Sequence, residues 1–170
     1  MENLNLYCVD FIPRKKSGLK VWTFPSPDVL CFFVDGSADG SSGCAGIGGL
    51  LQNYEGVIFC QFYMNMGLHD AGTVEVLAIL RASTLVLDNV LLKGRKVCIA
   101  SDSLAAVSWV NKEGFGNLNL CHLIYDIRSN LESFGNISVI HVPRVFNRLA
   151  DSLAKKGAAA QTDVIEWTIP

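Results

Sequence analysis

Cys31-Phe32-Phe33-Val34-Asp35-Gly36-Ser37 is the stretch on which the reading of this chain turns. Residues Leu30 to Val34 are continuously apolar and rich in β-formers, the pattern of a strand buried on both faces. Asp35 ends the run, and Gly36 and Ser37 follow at once. A carboxylate in a buried central strand is costly unless it is paired, hydrogen-bonded or bound to a cation. Taken alone, the same run also reads as a strand ending in an Asp-Gly turn.

The 170 residues amount to one domain's worth of chain, long enough for a single substantial core. Half of them are hydrophobic, 18% are charged and the net charge is -2, a globular composition and not a disordered one. No apolar run approaches the roughly 20 residues of a membrane span. Met1-Glu2-Asn3 has neither the basic start nor the apolar core of a secretory signal. The six cysteines, at positions 8, 31, 44, 60, 98 and 121, show no Cys-x-x-Cys spacing. They point to an intracellular, reducing compartment, nucleus or cytoplasm, and not to a disulfide framework or a zinc site. The mildly acidic balance gives no sign of a nucleic-acid partner, because dedicated binders are usually basic.

Residues 1–29 read as an extended arm with Pro13, Pro25 and Pro27 and a small basic cluster at Arg14, Lys15 and Lys16. Beyond the first strand, a Gly/Ser-rich turn leads into the compact apolar run Cys44–Leu51. The turn signal Asn53-Tyr54-Glu55-Gly56 precedes a strand over Val57–Met64, with alternation in Val57, Phe59 and Phe62. Three strands on short connections make an antiparallel meander. Asp70–Asn89 then changes to helical period through Val74, Leu77, Ala78, Leu80, Leu85 and Leu87. A short strand Arg95–Ala100 follows, and Ser101-Asp102-Ser103 is an N-cap signature before the helical Leu104–Asn111. Glu113–Asn119 is loop-like, Leu120–Phe134 helical, Ile137–Val142 a strand ended by Pro143. Asn147–Ala160 is a last helix with Leu149, Leu153 and Ala154 on one face, and residues 161–170 read as a tail. The pattern predicts a mixed sheet with helices packed on it.

That layout places four acids. Asp35 lies in the first strand and Asp102 at the carboxyl end of the fourth, so the two can meet at one sheet edge. Glu75 falls in the opening turns of the long helix and Asp151 in those of the last helix. Each also has a purely structural reading. Asp102 can cap a helix, and acids in first helical turns complement the helix dipole. Convergent hard oxygen ligands suit Mg2+ or Mn2+.

The phrases Val34-Asp35-Gly36-Ser37, Thr73-Val74-Glu75-Val76-Leu77-Ala78, Ala100-Ser101-Asp102-Ser103 and Asn147-Arg148-Leu149-Ala150-Asp151 carry a family resemblance. They resemble the four motifs of the ribonuclease H family, most closely the plant ribonuclease H-like domains related to non-long-terminal-repeat retrotransposons. Ala45-Gly46-Ile47-Gly48-Gly49 and His141-Val142-Pro143-Arg144 support the match, which covers residues from about 30 to 160. The resemblance implies an α/β fold with a five-stranded mixed sheet in the order 3-2-1-4-5 and helices on both faces. It implies a catalytic, metal-binding set of Asp35, Glu75, Asp102 and Asp151 holding two Mg2+ ions, with Mn2+ as a substitute. It implies hydrolysis of the RNA strand of an RNA–DNA hybrid by a monomer. Gly36, Ser37, Ser103, Arg144, Asn147 and Arg148 are the expected nucleic-acid contacts, with Lys155 and Lys156 as further phosphate ligands. Paired cations about 3.5–4 Å apart activate a water and hold the leaving oxygen in such chemistry.

The chain departs from the family pattern in three places. Active members often carry a histidine in the loop before the last acid, and Val142–Ala150 has none. Asp70-Ala71-Gly72-Thr73 stands where many members have a Thr-Asn-Asn-like run that contacts hybrid. No long basic insertion separates Asp102 from Asp151. The alternative expectation is therefore a catalytically idle domain that binds nucleic acid or a protein partner.

Overall fold

The computed structural model of the chain describes residues 22–112 and 117–168. Strand β1, Val29–Ala38, divides its side chains between two cores. Leu30, Phe32 and Val34 enter the larger one, Cys31 and Phe33 the smaller one behind it. This two-sided burial is what the unbroken apolar run predicts. The Asp35-Gly36 pair does not end the strand, because pairing with the next strand carries it on to Ala38.

β2, Cys44–Gln52, and β3, Ile58–Leu68, complete the antiparallel meander. The simple alternation expected for β3 fails. Val57 lies ahead of the strand and is exposed, while Phe62 is fully buried. Partners shift from Gln52↔Ile58 to Leu51↔Cys60, which leaves Phe59 as an extra residue. A bulge of this kind resets the parity of a strand, so Phe59 and Phe62, three residues apart, both pack on the larger core.

Helix α1, Ala71–Asp88, crosses to β4, Lys96–Ser101, which runs parallel to β1. Helices α2, Leu104–Val110, and α3, Cys121–Phe134, lead to β5, Ile137–His141, parallel to β4. A 3-10 turn over Arg144–Phe146 precedes α4, Arg148–Ala159. The expected strand order is present, extended by a sixth strand: β5-β4-β1-β2-β3-β6. β6, Val164–Trp167, comes from the segment read as a tail and pairs antiparallel with β3. Trp167 packs against the larger core, and Glu166 accepts a hydrogen bond from Gln61 Nε2 at 2.6 Å. Those long-range partners explain the strand, which covers the β3 edge that five strands would leave open.

Apolar residues of α1, α2 and α3 belong to the larger core, and α4 supplies Ala150 and Leu153 to the smaller one, so the helices lie on both faces. The buried stripe of α4 is Ala150, Ala154 and Gly157; Leu149, expected on that face, is 37% exposed. The cause lies in β2. A Cβ built on Gly48 would stand 2.3 Å from the Ala154 nitrogen, and one on Gly46 2.0 Å from the Ala158 nitrogen. Backbones so close admit only small residues at the seam.

Of the arm, Trp22 packs edge-on to Phe33 and against Phe146, and Phe24 meets Tyr54. The Arg14–Lys16 cluster lies outside the described residues, as do residues 113–116 of the expected loop. Among the described residues, no helix is long and apolar enough to cross a membrane.

Candidate active site

The site begins where β1 and β4 part. Val34 and Ser101 are the last paired residues of their parallel ladder, and Asp35 and Asp102 are the next residue on each chain. Beyond that point β1 is held by β2 alone. The acids thus sit where two inner strands part, Asp102 just past the end of β4 and Asp35 within β1, not at a lateral edge of the sheet. Asp35 is only 5% exposed. Asp102 leads directly into α2, whose N-cap is Ser103; its side chain accepts from the Ala106 N–H at 3.3 Å.

Glu75 is delivered by α1. Asp70 caps that helix, its side chain accepting from the Thr73 N–H at 2.9 Å and from the Thr73 hydroxyl at 2.7 Å. The run that departs from the family pattern therefore serves as a helix start. One turn on, Glu75 meets β1 at Gly36. A Cβ on Gly36 would lie 2.5 Å from the Val74 carbonyl carbon and 2.7 Å from the Glu75 nitrogen. Glycine is needed here for close approach of two backbones. The Gly36 N–H also hydrogen-bonds the Glu75 carboxylate.

Carboxylate oxygens of Asp35, Glu75 and Asp102 all lie within 4.8 Å of one another. Burial, and then the charges of Glu75 and Asp102, push the Asp35 carboxyl up from 3.8 to about 9. Burial and then Asp102 push Glu75 up to about 8, against the Gly36 hydrogen bond and the Arg144 charge, which lower it. Three acids so placed cannot all ionise without a compensating positive charge. The Glu75 Oε2 atom is buried and has no hydrogen-bond partner among the described residues.

Asp151, the fourth expected ligand, lies outside this group of three. Its carboxylate accepts from Lys155 Nζ at 2.7 Å, one turn along α4. It is still near enough to raise Asp35 and Glu75 through its charge. Arg144 Nε stands 4.0 Å from Asp102, on a side chain that is 83% exposed. Arg144, Arg148, Asp151 and Lys155 line an open groove of about 600 Å³ beside the acids.

Two of the expected nucleic-acid contacts also have partners within the fold. Asn147 is 1% exposed, and its Nδ2 donates to the Val34 carbonyl at 2.9 Å, so it braces the fold behind the site. Gly36 faces the α1 backbone. Sequence reading misses both roles, because an Asn before a helix signals a cap and Asp-Gly signals a turn. Ser37 and Ser103 are half-buried beside the acids, and Arg144 and Arg148 are exposed.

Against known proteins, the family described as reverse transcriptase-like matches residues 33–157, which span all four acids. The chain belongs to that family. No curated protein sequence matches this reverse transcriptase-like domain. Among solved structures, it is similar to ribonuclease H1 of the halophilic archaeon Halobacterium salinarum. There the identity is 23% and the TM-score 0.69, over 77% of this chain and 98% of that one. It is also similar to LC11 ribonuclease H1, isolated from compost, in complex with an RNA/DNA hybrid. That match has 23% identity and a TM-score of 0.69, over 76% of this chain and 96% of the other. A third likeness is to the foamy viral protease-reverse transcriptase in complex with RNA/DNA hybrid. Identity is 24% and the TM-score 0.68, over 92% of this chain but 24% of the viral one. The reverse transcriptase-like domain thus has the ribonuclease H-like fold.

Proposed function

We propose that this domain is a divalent-metal-dependent endonuclease that hydrolyses the RNA strand of RNA–DNA hybrids. The observation that carries the reading is the convergence of Asp35, Glu75 and Asp102 within 4.8 Å at one end of the sheet. The donor set fits Mg2+ or Mn2+, since hard carboxylate oxygens are what those ions prefer. The Glu75 Oε2 supplies an acceptor that the described residues leave unsatisfied. Asp35, Glu75 and Asp102 would hold the metal, with Asp151 as the fourth ligand once released from Lys155. When bound, a pair of such ions supplies an activated water and charge stabilisation at the leaving oxygen.

The protein's own contribution is placement. The parting of β1 from β4 sets the separation of Asp35 and Asp102, and Gly36 admits Glu75 between them. Arg144 and Arg148 flank the acids on the exposed side, where a phosphate backbone can be met. Hybrid recognition in such a fold rests on groove shape and 2′-hydroxyl contacts and not on base edges. Cleavage is therefore expected to be nearly independent of sequence and to spare duplex DNA. The test is cleavage of a hybrid labelled on each strand, with Mg2+, with Mn2+ and with chelator. Metal-dependent cutting of the RNA strand alone is expected; no cutting with either metal overturns the reading.

Two observations favour a second reading, a catalytically idle domain that binds nucleic acid. The Asp151 carboxylate is held by Lys155, and Val142–Ala150 contains no histidine. Hybrid binding without cleavage at saturating Mn2+ would establish that alternative.

A further inference from the structure

We infer that Asn147 is a positioning residue that sets Asp35 against Asp151, an inference that rests on the nuclease reading above. Asn147 occupies the N-cap position of α4, yet its side chain makes no capping hydrogen bond. An asparagine there ordinarily accepts from an N–H of the first helical turn. Here the side chain turns inward, is 1% exposed, and donates Nδ2 to the Val34 carbonyl at 2.9 Å. Its Oδ1 is buried with no partner among the described residues, which is an unfavourable state for an amide oxygen. The conformation therefore sacrifices a helix cap and leaves an acceptor unsatisfied. Helix stability alone would favour Ser or Asp at this position.

What the conformation achieves is a link between two acid-bearing segments. Val34 precedes Asp35 and is the last β1 residue paired with β4. Past it, the ladder that would steady β1 on this side is gone. The Asn147 backbone carbonyl accepts from the Asp151 N–H at 3.0 Å, while its own N–H donates to the Arg144 carbonyl at 3.0 Å. One residue thus ties the strand that carries Asp35 to the first turn that carries Asp151 and to the turn that carries Arg144. It touches no solvent-facing part of the groove, so it acts through the acids and not on the substrate.

The discriminating variant is N147S, which can cap α4 but is too short to reach Val34. Its metal-free melting temperature is expected to match the parent's. The rise in melting temperature on adding Mg2+ or Mn2+ is expected to fall by half or more. On labelled hybrid, kcat is expected to drop tenfold or more with KM within twofold, since ground-state contacts with phosphate lie elsewhere. A variant with the parent's metal-induced rise and kcat overturns the inference while leaving the nuclease reading intact. A parent that neither cleaves nor gains stability from metal overturns that reading and this inference together. Should N147S not fold, N147T, which likewise can cap α4 and is too short to reach Val34, is judged by the same outcomes. Failure of both to fold makes Asn147 a plain structural residue and overturns its positioning role.

Discussion

Asp35 and Asp102 stand one residue beyond a directly paired couple, Val34 and Ser101, at the point where two parallel inner strands separate. Neighbouring parallel strands bring equivalent residues close whatever their chemistry. When both are acids and the strands part, the result is a close pair of carboxyl groups, Asp35 buried and Asp102 half-buried. Glu75, brought in over Gly36, makes it three.

Replacing Asp35 by Asn keeps the shape of the side chain and removes a buried ionisable group together with a metal ligand. D35N is expected to reduce cleavage to background. In the absence of metal it should melt no lower than the parent, with a gain on the order of 1–3 kcal/mol at neutral pH. Melts of both proteins with and without Mg2+ check this. A D35N protein that melts well below the parent without metal would make Asp35 a structural residue.

The raised carboxyls of Asp35, at about 9, and Glu75, at about 8, give stability a definite pH dependence. Over the interval between their ordinary and folded values, the folded state binds more protons than the unfolded one. Stability contributed by these groups is therefore present at low pH and is lost as pH rises. The metal-free protein should melt progressively lower from about pH 5 to about pH 9. Saturating Mg2+ should flatten the slope, because a bound cation favours the ionised acids. A metal-free melting temperature that rises across this window would contradict the burial of these charges.

Gly36→Ala adds a methyl group where the α1 backbone already stands. The helix start must move away from β1, at a cost of about 1–3 kcal/mol. Glu75 moves with it, so cleavage should fall more than tenfold even at temperatures where the variant is fully folded. Denaturant titration and hybrid cleavage on one preparation separate the two effects. Unchanged cleavage would mean that Glu75 does not need this approach.

Trp167→Ala removes the half-buried anchor of β6 from the larger core. It should destabilise the fold by about 1–3 kcal/mol, less than a fully buried tryptophan would. Because β6 borders β3, three strands from β4, kcat per folded molecule should be unchanged. A loss of kcat at full folding would show that the sixth strand reaches the site.

The residues that report on their own surroundings could be read directly. The apolar run ending at Asp35 is a two-sided strand, the periodic segment holding Glu75 is a helix, and the order of strands and helices makes a mixed sheet; the strand order itself is what the family resemblance implies. These readings rest on local period and on the rule that a parallel crossover joins neighbours. What escaped them depends on distances between backbones remote in sequence. Phe59 and Phe62 share a face at odd spacing because of a bulge against β2. Leu149 is exposed because Gly46 and Gly48 draw α4 in on its small residues. Residues 164–167 become a strand because β3 offers an unpaired edge. Asn147 turns inward for the Val34 carbonyl, and Asp151 is held by Lys155 outside the group of three. Four acids and their elements were visible as residue types at particular positions. Which of them share a site, and how strongly their charges oppose one another, follows only from burial and separations of a few ångströms, because electrostatic coupling falls with distance and grows as water is excluded.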